Sequence, residues 1–232
     1  MNHPYAHPGE AMVLKILTLL VLASFSFGCA VGGRSQTKSP PNKEIQTVLV
    51  HPFKDQSLLR GENATYRCSL CGGMFTTSRV EKGADAFVTD SIAKILGARQ
   101  TITLIPNDRV DIVRRQILLD RESKPSNLVL LAEIGRELGA DAVLTGSVYK
   151  FQQRAGSDFA ADSPASVGLD IDLIDTKTGQ IIWQARFDET QEYLTNNFMK
   201  IVTFFKRGGK WVTAEKLAAQ GLENALEGSP IP

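Results

Sequence analysis

Runs of β-forming residues, one of them with a strict alternation of apolar and polar positions, predict five β-strands in this chain. The predicted strands cover residues 47–53, 101–105, 142–151, 167–173 and 180–189. In the fourth strand, apolar residues alternate with Asp170 and Asp172, so we expect one face to be buried and the other to be wet. The turn residues 175–179 predict that the last two strands form a hairpin.

Apolar residues spaced three and four apart predict five helices. They cover residues 81–96, a segment capped by Asp108, a segment capped by Ser126, residues 195–206, and residues 213–227 with Thr213 as the cap. Residues 54–79 show neither period and are predicted to be a long loop. The order of elements predicts an α/β (α+β) fold, in which helices pack on a mixed, mostly antiparallel sheet within one domain over residues 46–228.

The N-terminal segment has the features of an export signal. Lys15 precedes an apolar run that is too short for a stop-transfer helix and ends on Gly28 and Cys29. We therefore predict a signal peptide over residues 1–28, with Met12 as an alternative start because residues 1–11 lack basic character. Residues 29–45 are rich in Gly, Ser and Pro, which predicts a flexible tether.

Gly28 and Cys29 resemble the lipobox of bacterial lipoproteins. This resemblance implies that Cys29 becomes the lipidated N-terminal residue and anchors the protein to a membrane. No Asp follows Cys29, and by the sorting rule of such lipoproteins this favours the outer membrane, with the domain facing the periplasm.

Composition argues against several classes of function. The chain has 26 Lys and Arg against 25 Asp and Glu, a balance that does not suit a nucleic-acid binder. Ser147 lacks the flanking glycines of a nucleophile elbow, and His51 is the one candidate base after the signal peptide. Asp170 and Asp172 are expected to be solvated carboxylates. We therefore predict a protein that is not an enzyme, with no cofactor and no evident small-molecule substrate.

Cys68 and Cys71 form the sharpest local motif, Cys-x-x-Cys followed by two glycines. Export to an oxidising compartment favours a disulfide between them. A zinc site is the alternative, but a structural zinc needs four ligands and His51 is the remaining candidate, so two chains would each have to donate a cysteine pair. A redox dithiol is the third interpretation, although Cys71 runs into Gly72 and Gly73 instead of a helix.

A family resemblance appears in three segments taken together, residues 48–53, 138–148 and 173–183. Their order and sequence resemble the periplasmic α/β domain shared by CsgG, the penicillin-binding-protein activator LpoB and the N-terminal domain of TolB. The resemblance implies the fold but not a function. Our leading hypothesis for the function is a lipid-anchored adaptor that binds an envelope or outer-membrane protein. The alternative is a homo-oligomeric assembly or secretion component of CsgG type. Such a component would lack its own pore, because residues 152–164 are too short and polar for transmembrane hairpins.

An aromatic-rich segment near the C-terminus offers a candidate partner surface. Phe198, Ile201, Val202 and Phe205 form one helical stripe that core packing would explain. One helix face cannot also bury the neighbouring aromatic residues, so the predicted partner surface lies beside the stripe. It consists of Phe204, Trp211, Lys206 and Arg207.

Overall fold

The computed structural model describes residues 37–38, 45–156, 161–191 and 212–232, which belong to a unit spanning Arg34–Pro232. The strands are β1 Thr37–Lys38, β2 Thr47–Val50, β3 Lys54–Asp55, β4 Thr65–Arg67, β5 Met74–Thr76, β6 Thr103–Ile105, β7 Ala142–Gln152, β8 Ala155–Gly156, β9 Ala161–Ser163, β10 Ser166–Asp175 and β11 Ile181–Thr190. The helices are α1 Gln56–Arg60, α2 Ala84–Gly97, α3 Val110–Leu119, α4 Asn127–Glu137 and α5 Ala214–Glu227.

Seven strands form the main sheet, in the order β1-β11-β10-β7-β2-β6, with β3 paired to β7 beside this path. Strand β10 is antiparallel to both β7 and β11, and these are the longest ladders. Strand β2 runs parallel to β6 and to β7. This arrangement confirms the predicted α/β fold with a mixed, mostly antiparallel sheet.

The turn between β10 and β11 follows its predicted chemistry. The Asp175 carboxylate accepts a hydrogen bond of 2.6 Å from the Thr178 backbone N–H, and Gly179 adopts a φ of 68°. That conformation favours glycine because it has no Cβ. The predicted hairpin is confirmed.

Helices cover both faces of the sheet. On one face, α2 and α5 pack against apolar residues of β2, β7, β10 and β11, and Val88, Ile92 and Leu96 supply the buried stripe of α2. On the other face, α3 and α4 cover Leu49 of β2 and Val143 of β7. Because side chains alternate along a strand, β2 and β7 contribute to both layers.

Two predicted caps are confirmed, and a third is wrong. The hydroxyls of Ser126 and Thr213 each accept a 3.3 Å hydrogen bond from a backbone N–H in the first turn of α4 and α5. Helix α3 has Arg109 at its N-cap with no side-chain cap bond. The Val110 N–H bonds instead to the Asn107 carbonyl, so the predicted cap Asp108 lies within a backbone turn that leads into the helix.

Helix α2 begins three residues later than predicted, at Ala84. The Glu81 N–H bonds to the Phe151 carbonyl of β7, which holds residue 81 in an extended segment.

Two predicted irregular segments contain secondary structure. The predicted loop 54–79 holds β3, α1 and a hairpin formed by β4 and β5. Its strands of two or three residues are too short to show a sequence period. The predicted tether 29–45 contains β1, where Thr37 and Lys38 pair with the edge strand β11. An exposed edge offers unpaired backbone groups to any nearby extended segment.

The predicted helix over residues 195–206 lies outside the described residues. Within the described part of the chain, none of the helices is long and apolar enough to cross a membrane.

Candidate functional site

The hairpin of β4 and β5 lies over a polar region of the sheet. Phe75 of β5 stacks between Tyr66 of β4 and Tyr149 of β7, with ring centroids 5.7 and 5.0 Å apart. The guanidinium of Arg186 on β11 lies 4.6 Å from the centre of the Phe75 ring. These contacts attach the hairpin to the sheet and place its turn, residues 68–73, near the middle of β10.

Beneath this turn, polar residues of β7 and β10 face each other. Asp170 pairs in register with Ser147, and Asp172 pairs with Thr145. Asp170 is 4% exposed and Asp172 is fully buried at 0%. The prediction that these carboxylates lie on a wet face is therefore wrong, because the hairpin covers the polar side of β10.

The hairpin turn brings Cys68 and Cys71 onto the two carboxylates. One donor atom from each of Cys68, Cys71, Asp170 and Asp172 lies within 4.8 Å of the other three. We call these four residues the Cys–Asp cluster. Its members come from two segments that are distant in the sequence.

Hydrogen bonds orient several members of the cluster. The Ser147 hydroxyl donates to the Asp170 carboxylate, and Gln184 Nε2 donates to Asp172 Oδ1 over 2.6 Å. The Cys71 backbone N–H donates to Cys68 Sγ over 3.2 Å. Asp172 Oδ2 is buried without any hydrogen-bond partner, a costly state for a carboxylate oxygen.

The surroundings shift the pKa of each group in the cluster. The hydrogen bond from the Cys71 thiol, helped by backbone N–H groups, lowers the pKa of Cys68 to about 6. The same bond raises the pKa of Cys71, because its proton is held against the Cys68 sulfur. Burial, reinforced by the charge of Asp172, raises the pKa of Asp170 to about 8, and burial raises that of Asp172 to about 6. Cys68 is therefore the thiol that ionises first.

A cavity of about 160 Å³ adjoins the cluster. Cys68 and Asp170 line it together with the cationic residues Lys54, Arg60 and Arg114. His51 also lines the cavity, and burial lowers the pKa of its imidazole to about 4. His51 is not among the four clustered donors.

Some of the predicted site residues lie within the described part of the chain and others lie outside it. Cys29 and the predicted partner surface, Phe204, Trp211, Lys206 and Arg207, lie outside the described residues. Cys68 and Cys71 contact each other and both are free thiols in the structure, so the disulfide stays a prediction. Sequence analysis interpreted Asp170 and Asp172 as solvated carboxylates and missed that they are buried next to the two cysteines. The alternation of charged with apolar residues was the one sequence feature that marked them.

Comparison with known proteins identifies the type of module. Residues 85–188 match the family model described as peptidoglycan-synthase activator LpoB. No curated protein matches the chain. Among solved structures, a PelC dodecamer from Paraburkholderia phytofirmans is similar at 15% identity, with 86% of this chain and 96% of that chain covered and a TM-score of 0.47.

Two other solved structures are also similar. The LpoB C-terminal domain from Escherichia coli has 18% identity, covers 65% of this chain and 87% of its own, and gives a TM-score of 0.39. A lipoprotein from Neisseria meningitidis has 13% identity, covers 70% and 96%, and gives a TM-score of 0.38. The matched segment contains Asp170, Asp172, Ser147 and Gln184, whereas Cys68 and Cys71 precede it. Residues 85–188 of this chain are an LpoB-like module.

Proposed function

We propose that this protein is a lipid-anchored, non-enzymatic adaptor of the outer membrane that faces the periplasm, and that it binds and activates a peptidoglycan synthase. The observation that carries the proposal is the match of residues 85–188 to the family described as peptidoglycan-synthase activator LpoB. Because one fold hosts many functions, the partner has to be tested directly.

The anchor in this proposal is Cys29. The sequence before it has the form of an export signal, and lipidation at this residue would hold the domain at the membrane. Two acyl chains or more are needed for stable anchoring, which is what lipoprotein processing supplies.

Partner binding in this proposal uses Phe204, Trp211, Lys206 and Arg207. Aromatic and arginine side chains dominate the binding energy of protein interfaces. The test compares Phe204→Ala and Trp211→Ala with Leu119→Ala, since Leu119 is an apolar residue of α3 that is 83% exposed and outside the proposed surface. All three variants should melt close to the wild type if the proposed residues are not part of the core.

Binding is measured between the full-length protein in detergent and the purified peptidoglycan synthases of the same organism, by biolayer interferometry. We expect wild type and Leu119→Ala to bind one of these synthases, and Phe204→Ala and Trp211→Ala to bind it at least roughly tenfold more weakly. Failure of the wild type to bind any of them contradicts the proposed partner. Equal binding by all variants contradicts the proposed surface.

The alternative of a CsgG-type assembly component makes a different prediction for mass. Light scattering of the full-length protein in detergent should report a monomer or dimer for an adaptor. A discrete ring of many subunits would favour the assembly component.

A further inference from the structure

We propose that Cys68, Cys71, Asp170 and Asp172 bind one Zn²⁺ ion, which fastens the hairpin of β4 and β5 to strand β10. The four donor atoms already lie within 4.8 Å of one another. In a tetrahedral zinc site with bonds of about 2.0–2.3 Å, ligand atoms are about 3.3–3.8 Å apart. Small side-chain rotations would therefore complete the coordination.

The buried carboxylates provide an independent reason to expect a cation. Asp172 is fully buried, and its Oδ2 has no hydrogen-bond partner. Among the ion pairs of the described residues, none involves Asp170 or Asp172. Burying carboxylates without a compensating charge is costly, and a metal ion would supply both that charge and the missing contact of Asp172.

The protein holds these carboxylates as it would hold metal ligands. Ser147 donates a hydrogen bond to Asp170, and Gln184 donates one to Asp172 Oδ1, which leaves Oδ2 free. Outer hydrogen bonds of this kind orient the ligands of metal sites. The Cys71 N–H bond to Cys68 Sγ orients the sulfur in the same way.

The donor set favours zinc over calcium and magnesium. Calcium takes six to eight oxygen ligands and magnesium needs an octahedron of oxygens, so neither suits two sulfurs and two carboxylates. Zinc accepts sulfur and oxygen ligands in a tetrahedron, and four protein ligands make the site structural. Two thiolates and two carboxylates leave the same net charge on zinc as four thiolates do.

Zinc would join parts of the fold that a disulfide would not. A bond between Cys68 and Cys71 closes a ring within the hairpin turn alone, whereas the metal connects that turn to β10. The strands β4 and β5 have three residues each, and an isolated hairpin of this size is marginally stable. The two cysteines precede the segment matched to the LpoB family, and the two aspartates lie within it. The zinc site would therefore connect the hairpin to the LpoB-like module. This proposal does not rest on the adaptor function.

The test uses the full-length protein purified under reducing conditions. Metal content is measured by inductively coupled plasma mass spectrometry, and Co²⁺ is titrated into metal-free protein as a spectroscopic probe. The variants are Cys68→Ser and Asp172→Asn. The matched control is Asp90→Asn, because Asp90 is an exposed carboxylate of α2 that lies outside the cluster.

We expect one Zn²⁺ per chain in the wild type and in Asp90→Asn, with a tetrahedral Co²⁺ spectrum that contains thiolate-to-metal charge transfer. Cys68→Ser and Asp172→Asn should each bind Zn²⁺ at least roughly tenfold more weakly, because even the loss of a residue that only orients a metal ligand typically costs about tenfold or more. Addition of Zn²⁺ should raise the melting temperature of the metal-free wild type, which gives a readout that does not depend on the folding of any variant.

Three results would overturn the proposal. The first is reduced, folded wild type that takes up neither Zn²⁺ nor Co²⁺. The second is protein from the periplasm that contains a Cys68–Cys71 disulfide and no metal. The third is Asp172→Asn that binds zinc as tightly as the wild type, since that result removes the carboxylates from the site.

Discussion

Replacement of Phe75 by Ala tests whether the hairpin is what buries the Cys–Asp cluster. Phe75 is 5% exposed and touches Tyr66, Tyr149 and the Arg186 guanidinium. Deleting a buried phenylalanine typically costs about 3–5 kcal/mol. Because the hairpin consists of two strands of three residues that can partly collapse into the gap, we expect a loss near the lower end, about 3 kcal/mol.

The same change should open the hairpin locally. A loss of about 3 kcal/mol corresponds to a roughly 100-fold larger open population, since each 1.4 kcal/mol is a factor of ten. If Cys68 and Cys71 react with a thiol reagent from the open form, their rate should rise by a similar factor. Both quantities are measured in a Cys29→Ser background, in which these are the remaining cysteines, with a metal chelator present.

Urea unfolding gives the stability, and reaction with a chromogenic disulfide reagent gives the thiol rate. The control is Met74→Ala, because Met74 is the preceding residue of β5 and is 58% exposed. It should change stability by no more than about 0.5 kcal/mol. The reasoning is refuted if Phe75→Ala resembles Met74→Ala in both measurements.

Three further predictions concern other parts of the chain. Gly146→Ala should destabilise the protein by at least about 2 kcal/mol in urea unfolding, because its Cβ would lie 2.0 Å from the Asp170 carbonyl oxygen. Gly97→Ala should be neutral or slightly stabilising, since the nearest atom to its Cβ is 3.5 Å away. Equal losses of stability in Gly146→Ala and Gly97→Ala would contradict this prediction. Burial lowers the pKa of His51 to about 4. Between about pH 6.5 and pH 4, His51 is therefore protonated in the unfolded chain but neutral in the folded chain. Stability should thus fall by up to roughly 3 kcal/mol as the pH drops from 7 to 4, and His51→Gln, measured by urea unfolding across that range, should lack this part of the pH dependence. Cys29→Ser should abolish incorporation of labelled fatty acid and release the protein from the membrane fraction, and continued labelling would rule out Cys29 as the anchor.

Five of the seven strands of the main sheet were predictable, because each carries a clear apolar run or an alternation of apolar and polar residues. Val167, Leu169, Ile171 and Leu173 alternate with shorter or polar residues, and these four form the side of β10 that faces the hydrophobic core. The helices with hydroxyl caps were also predictable, because a serine or threonine before an apolar stripe satisfies free N–H groups at a helix start.

The covering hairpin was not predictable from local pattern. Strands β4 and β5 have three residues each, which is too few to show alternation. Alternation in β10 distinguished the two faces of the strand, but it could not tell whether the polar face contacts water or another part of the chain. The cluster of Cys68 and Cys71 with Asp170 and Asp172 is a tertiary contact, and no single segment encodes it.

The most direct test of the proposed function is the rate of glycan-chain synthesis by a purified peptidoglycan synthase of the same organism. The synthase is assayed in detergent with labelled lipid-linked precursor, with and without the full-length protein. We predict a clear rise in rate with wild type, the same rise with Leu119→Ala, and a much smaller one with Phe204→Ala. An unchanged rate for every synthase of the organism would contradict the proposal that this LpoB-like protein is an activator.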